Sequence, residues 1–303
     1  MNEGTIGKST ISVPHLTLGT MSFPLDKQSV VTLLSRALDQ GIIHIDTADL
    51  YDFGQNEALL GQFIKHHRDQ IVLTTKVGNH FNPKTKDWFW DPSSQYIKTA
   101  VKNSLQRLQT DYIDLYLLHG GTIKDPIDES IEAFEQLKKS GTIRAYGISS
   151  IRPNVINAYM NKSNIDAVMM QYSMLDRRPE EWLDVLHEQQ ISVLARGPLA
   201  KGMLSSHALS SIVKKGENGY LDYNYNELRQ TTEQLFSLDE PLEKLAFQYV
   251  LKHPAVVSAV FGTSNETQLL TNGQYVNLAP MNDELYQTIQ QITKKSFYTM
   301  HRE

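Results

Sequence analysis

Short apolar runs alternate with amphipathic stretches along almost the whole chain, and this repetition limits the fold more than any other feature of the sequence. The apolar runs lie at residues 16–20, 42–46, 71–76, 112–119, 144–149, 167–171, 192–196 and 257–261. Helical spacing follows at 29–40, 56–66, 93–108, 129–140, beyond Arg152, at 179–190 and at 266–271. The runs are continuous and do not alternate polar with apolar, which is the pattern of parallel strands covered on both faces. Punctuation agrees. Asp91-Pro92-Ser93 places a proline in a first helical turn, Asp128 precedes another start, and Gly41 and Gly141 follow helix ends where a left-handed residue closes the last turn. Eight β–α units in 303 residues predict an α/β fold, a single-domain (β/α)8 TIM barrel spanning 1–303. A doubly wound sheet with an appended domain is the alternative. Residues 203–240 break the pattern and read as an insertion after the seventh strand, and 283–294 has helical spacing ahead of a short tail.

Composition removes several function classes. With 29 basic and 34 acidic residues the net charge is −5, which gives no electrostatic reason to expect nucleic acid or an anionic membrane as partner. The chain has no cysteine, so it forms neither a disulfide framework nor a thiolate zinc site. The opening residues carry no apolar run of a secretion signal, and no stretch approaches the ~20 apolar residues of a membrane span; the expected location is cytoplasmic. Gly7-Lys8-Ser9 resembles the end of a phosphate-binding loop, but Asn2 stands where the first glycine is required, and a surface hairpin is the better reading. His119-Gly120-Gly121 resembles a hydrolase oxyanion loop, yet the matching G-x-S-x-G elbow is absent. No G-x-G-x-x-G follows a strand, so a nicotinamide cofactor here does not sit on a Rossmann turn. His66-His67 lies on a polar helix end without a third ligand, and no metal site is expected.

Polar residues at the C-terminal ends of barrel strands face the catalytic end of such folds. Asp46 ends the second run, Tyr51 opens the loop after it, Lys76 ends the third run and His119 ends the fourth. Each alone also reads as a structural ion pair or a packed polar group; their occurrence on three consecutive strands points to chemistry. Reduction of a carbonyl leaves an alkoxide that needs a proton. Tyrosine, with a free pKa of about 10, is a poor donor near neutrality, and a nearby ammonium favours its phenolate. The expected roles are Tyr51 as proton donor, Lys76 as its tuner, Asp46 as anchor for Lys76, and His119 as the group that orients the carbonyl oxygen.

At these residues the chain resembles the aldo-keto reductases, in particular a bacterial NADP-dependent branch with a long loop after the seventh strand. The resemblance runs from Leu18-Gly19-Thr20-Met21 to the tail. It rests on the stretch from Asp46 to Tyr51, on Thr75-Lys76, and on the run from Asp111 to His119. Further matches are Gly141 through Ser150, Gln171-Tyr172-Ser173 and Gly197-Pro198-Leu199-Ala200-Lys201-Gly202. It implies the four catalytic residues above and an NADPH cofactor extended across the barrel mouth. Ser149, Ser150 and Gln171 match positions that hydrogen-bond the nicotinamide carboxamide. Arg196, Gly197, Pro198, Leu199, Lys201 and Gly202 match the segment around the nicotinamide and pyrophosphate. Gly262, Thr263, Ser264, Gln268 and Asn272 match the adenosine end, where a helix N-terminus suits phosphate. Three departures stand out. Ser150 replaces a usual Asn, and Arg196 replaces an aromatic that stacks on the nicotinamide. Residues 262–272 contain no basic side chain for a 2′-phosphate, so NADH is a second cofactor expectation.

The substrate is expected to be a small carbonyl compound. Candidate contacts are Met21 of the first loop, beside Phe23, and Trp88 and Trp90 of the loop after the third strand, around Phe89. The aromatic stretch 220–225 is a further candidate, and packing of these rings against the barrel is the competing reading. A cofactor-binding sensor of the same fold with little turnover is the alternative function. A metal-dependent hydrolase lacks the ligands it needs at the strand ends. Nothing in the sequence requires an interface between copies.

Overall fold

Eight parallel strands close into a barrel: β1 Leu16–Gly19, β2 His44–Asp46, β3 Val72–Val77, β4 Ile113–Leu118, β5 Ile143–Ser149, β6 Ala167–Gln171, β7 Ser192–Arg196 and β8 Val256–Gly262. This is a computed structural model that describes residues 3–303; Met1 and Asn2 lie outside the described residues. Each strand pairs with its neighbours in sequence order, and β8 returns to β1, so the sheet has no free edge.

The first six barrel helices are α1 Lys27–Asp39, α2 Gln55–His67, α3 Ser94–Leu108, α4 Ile127–Lys139, α5 Pro153–Lys162 and α6 Glu180–Glu188. Alternate strand residues point in and out, and both directions are buried, which is why the runs are apolar throughout. Outward residues such as Leu18, Ile45, Leu73, Tyr116 and Leu118 pack under the helices, whereas Leu115, Leu117, Ala145, Met169 and Leu194 fill the barrel. Gly41 and Gly141 adopt φ of 81° and 77° after α1 and α4, as the left-handed closure requires.

Two helix starts differ from the sequence expectation. Ser93, not the proline turn, caps α3, with its hydroxyl accepting the Tyr96 N–H at 3.2 Å; Pro92 precedes the cap. Helix α4 begins before Asp128, which sits in its first turn, where a carboxylate is favoured by the exposed N–H groups.

The N-terminal hairpin, Glu3–Thr5 paired with Ser12–Pro14, closes the barrel at the N-terminal end of its strands. Ile6, Ile11 and Val13 are buried with the interior layer of the barrel. Gly7 lies in the hairpin turn at φ 52°, and a Cβ there would stand 2.3 Å from the Asp166 carbonyl oxygen. Its N–H donates to the Ser192 hydroxyl at 2.8 Å. Gly7-Lys8-Ser9 is therefore the tip of a plug, with no phosphate-binding helix behind it.

Between β7 and β8 the chain is not a bare loop. It forms α7 Ala208–Lys215, α8 Tyr225–Phe236 and α9 Leu242–Val250. Helix α8 carries a full capping box between Asn224 and Glu227. Helix α9 is almost wholly buried and serves as the seventh barrel helix. Helix α10 Glu266–Gly273 follows β8, and α11 Asp283–Ile292 precedes the tail. Among the described residues no helix is long and apolar enough to cross a membrane.

Because Ile6 fills the closed end of the barrel, Ile6→Ala is expected to cost about 2–4 kcal/mol of stability, as for other buried aliphatic truncations. Thermal unfolding would show a lower midpoint, while ligand affinity at the opposite end of the barrel stays unchanged. An unaltered midpoint would contradict the plug.

Candidate active site

Lys76 is the side chain around which the open end is organised. It sits one residue before the end of β3 and is only 1% exposed, with Asp46 at 4% at the end of β2. The ammonium lies 2.8 Å from both carboxylate oxygens of Asp46. It donates to the Thr47 carbonyl at 2.7 Å and to the Tyr51 hydroxyl at 3.3 Å. An ammonium has three hydrogens, and these three partners use them all. Burial alone would lower the Lys76 ammonium; the Asp46 carboxylate and the Tyr51 phenol more than offset it and hold it above its usual range. Burial pushes the Asp46 carboxyl above its ordinary range, and Lys76 only partly opposes this.

Tyr51 is fixed by an abrupt turn. Asp52, Phe53 and Gly54 follow it in left-handed conformation, with φ of 49°, 54° and 87°. Two consecutive non-glycine residues in that region store strain, which persists only where surrounding contacts impose it. Here Phe53 packs edge-on against Phe81, ring centroids 6.2 Å apart. Asn56 ties the loop to its neighbours: its side-chain oxygen accepts from the Thr20 and Thr47 hydroxyls at 2.9 and 2.8 Å, and its amide donates to the Thr20 carbonyl at 2.9 Å.

His119 lies just beyond β4, its ring edge-on to Tyr51 at 5.9 Å. Burial, together with the positive charges of Lys76 and Arg196, lowers it to about 3, so it is neutral across the physiological range. Its Nδ1 is sealed away without a hydrogen-bond partner, which leaves Nε2 as the nitrogen that a bound molecule can meet.

Asp46, Tyr51, Lys76 and His119 all line one cleft of about 1390 Å³ at the C-terminal end of the barrel. The same cleft is lined by Ser149 and Ser150 at the end of β5, Gln171 at the end of β6 and Arg196 at the end of β7. Gly197, Pro198, Leu199, Lys201 and Gly202 of the next turn line it too, as do Gly262 at the end of β8, Thr263 and Ser264 just beyond it, and Gln268 and Asn272 of α10. Gly262 has open space where a Cβ would stand, and Gly197 at φ 69° has only the Gln171 Cγ at 3.9 Å. The cleft therefore offers bare backbone at two places along its wall, and its volume gives room for a dinucleotide.

Met21 lines this cleft, 66% exposed, but Trp88 and Trp90 do not. The loop after β3 folds on itself as a hairpin, Asn79–Asn82 against Asp87–Trp90, beside a separate cavity of about 330 Å³ against α3. Trp90 lies against Gly78 and Gly120 and donates its indole N–H to Asp125 at 3.0 Å; Trp88 is exposed on the hairpin. Phe23 is buried in the core.

Several cleft residues escape a reading of the sequence. The tail residues Phe297, Tyr298, Thr299, Met300 and His301 form part of its wall. The Asn154 N–H holds the tail through the His301 carbonyl at 2.7 Å, and Arg302 pairs with Glu181 at 2.7 Å. The only signal in the sequence is that Phe297 and Met300 are apolar residues in a polar tail. Arg178 also lines the cleft, and the insertion stretch 220–225, a candidate from the sequence, does reach it through Tyr220, Leu221 and Asp222.

Comparison with known proteins agrees with this geometry. The model of the aldo/keto reductase family matches residues 15–294. The chain is 48% identical to the uncharacterized oxidoreductase YqkF of Bacillus subtilis (strain 168), over the whole of both chains. It superposes on the holo form of aldo-keto reductase AKR11C1 from Bacillus halodurans with a TM-score of 0.95 and 50% identity, covering 100% of each. It is also 28% identical to an NADH-specific methylglyoxal reductase of Escherichia coli (strain K12), over 92% of this chain and 94% of that one.

Two histidines, His44 in the core and His119 half-buried in the cleft wall, make stability sensitive to acid. His44, bonded to the Thr17 and Thr74 hydroxyls at 2.7 Å each, is lowered by burial to about 3, as His119 is. Once unfolded, each takes up a proton as pH falls through its ordinary 6.5, whereas the folded form resists until about 3. Acidification within that window favours unfolding by up to about 1.4 kcal/mol per pH unit per histidine. Denaturant midpoints measured down to about pH 4.5 should fall less steeply in His119→Gln than in the unaltered protein. Parallel curves would show that His119 is not held neutral.

Proposed function

The chain belongs to the aldo-keto reductase family, and on that premise we propose that it reduces aldehydes or ketones to alcohols with a reduced nicotinamide cofactor. The observation that carries the proposal is the Lys76 ammonium, joined to Asp46, Thr47 and the Tyr51 hydroxyl beside a neutral His119 in one cleft. Ser149, Ser150, Gln171 and Arg196 would hold the nicotinamide end. The turn from Gly197 to Gly202 would hold the pyrophosphate, and Gly262, Thr263, Ser264, Gln268 and Asn272 the adenosine end. When bound, the reduced nicotinamide supplies the hydride that converts the carbonyl carbon to that of an alcohol.

The protein's own groups handle the oxygen. His119 donates from Nε2 to the carbonyl oxygen, drawing negative charge toward it and fixing its position. Tyr51 then gives its hydroxyl proton to the same oxygen as the alkoxide develops. The phenolate left behind faces the Lys76 ammonium, which favours the charged form. Asp46 keeps that ammonium charged and in place inside a buried environment. A sensor that bound cofactor without turnover would have no use for a proton donor tied to a buried ammonium.

The cofactor preference has two readings. NADPH is what membership of the family suggests. Against a strong demand for its 2′-phosphate, residues 262–272 carry no basic side chain, and the Ser264 N–H already donates to Gln268 Oε1 at 3.0 Å. Neutral donors bind phosphate less strongly than an arginine fork. NADH is therefore the second reading. Met21, Phe297 and Met300 provide an apolar border, which suits carbonyl compounds with apolar substituents.

Two measurements test this. Reduced nicotinamide absorbance should fall with a panel of aliphatic, aromatic and 2-oxo aldehydes, and parallel titrations with NADPH and NADH establish which is preferred. Tyr51→Phe should lower kcat by about 100- to 10,000-fold while cofactor affinity is retained. Normal turnover by that variant would remove Tyr51 from the role given to it.

A further inference from the structure

Gln171 ends β6 inside the cleft, and its side-chain amide is not free to choose its orientation. Its Nε2 donates to Asp176 Oδ2 at 2.8 Å and to the Tyr220 hydroxyl at 3.3 Å. Both amide hydrogens are thus committed to the protein, and Oε1 keeps only a long 3.5 Å contact with Arg196. The two ends of an amide are nearly the same in shape, so an isolated glutamine flips at little cost. A carboxylate removes that freedom because it can only accept. If the amide turned over, its oxygen would face the Asp176 carboxylate, two acceptors with no hydrogen between them.

Asp176 is itself immobilised. It is fully buried, and Arg178 grips it with two parallel bonds, Nε to Oδ1 and Nη2 to Oδ2, each 2.7 Å. This bidentate arrangement fixes the plane of the carboxylate as well as its charge. The backbone around it is a tight turn in which Ser173 and Asp176 exchange N–H donations at 3.2 and 3.0 Å. The Arg178 guanidinium in turn stands 5.0 Å from the ring centroid of Tyr298, a tail residue that lines the cleft.

We propose that Asp176, gripped by Arg178, is a positioning residue that locks the Gln171 amide with its oxygen available to the carboxamide NH2 of a bound nicotinamide. This rests on the reductase reading and deepens it, since it assigns the ring's orientation to a pair of residues that act through Gln171. Arg178 also links that lock to the tail, so the wall on the substrate side and the nicotinamide anchor share one fixed guanidinium.

The test compares the reduced natural cofactor with its 3-acetylpyridine analogue, which keeps the carbonyl oxygen but has a methyl group in place of the NH2. Dissociation constants are measured by fluorescence titration, alongside kcat and KM. The unaltered protein should bind the natural cofactor about tenfold more tightly than the analogue, the worth of one good hydrogen bond. In Asp176→Asn an amide that can present either end replaces the carboxylate, and the ratio should collapse toward unity because only the natural cofactor weakens. Arg178→Met, which leaves Asp176 and Gln171 in place, should move the ratio the same way and covers the case in which Asp176→Asn fails to fold. KM for the natural cofactor should rise more than kcat falls. An unchanged ratio, or equal weakening of both compounds, would overturn the proposal and leave the pair a structural role. Failure of the unaltered protein to bind either compound would instead sink the reductase reading, and this proposal with it.

Discussion

A buried ammonium with every hydrogen committed is the constraint on which the open end of this barrel depends. Removing Lys76 and Asp46 from water is costly, and the attraction between them offsets the cost only when the geometry is good and the remaining bonds are filled. Here the ion pair is 2.8 Å long, and the other two hydrogens go to the Thr47 carbonyl and the Tyr51 hydroxyl. Loss of either partner would strand a charge in the protein interior, so the arrangement is held as a unit. The same pair brings β2, β3 and the Tyr51 turn to one point, and it contributes to keeping His119 neutral through the positive charge of Lys76.

The two ends of the barrel divide the work. At the N-terminal end, apolar residues of the hairpin seal the interior, and the hydrogen bonds there hold backbone to strand. The open end carries the Lys76–Asp46 pair, consecutive left-handed residues and long loops. The insertion and the tail then build the cleft outward. Tyr220 reaches Gln171 from the insertion, and Tyr298 meets Arg178 from the tail.

Much of this was legible in the sequence, for a definite reason. Parallel barrel strands must be apolar on both faces, so a polar residue at the end of such a run is conspicuous, and Asp46, Lys76 and His119 stand out in that way. The eight strands were readable for the same cause. The twin glycine caps at Gly41 and Gly141 followed from the left-handed conformation they supply. Helix α9 was not readable, because a helix buried nearly all round lacks an amphipathic stripe. Trp88 and Trp90 were misplaced because aromatic content says that a loop packs, not on which surface; only the pairing of Asn79 with Trp90 and Phe81 with Trp88 turns the hairpin away from the cleft. The part of Asp176 and Arg178 is a matter of amide orientation, and no spacing of residues encodes that.

The central claim is that Tyr51 and His119 serve a single substrate oxygen under the control of the Lys76–Asp46 pair. A crystal structure of the protein with cofactor and an unreactive carbonyl ligand tests it most directly. The account predicts the ligand's carbonyl oxygen within hydrogen-bonding distance of both the Tyr51 hydroxyl and His119 Nε2, with Lys76 still bonded to Asp46. A ligand whose oxygen meets only one of the two, or a Lys76 that has left Asp46 to bind the ligand itself, would contradict it.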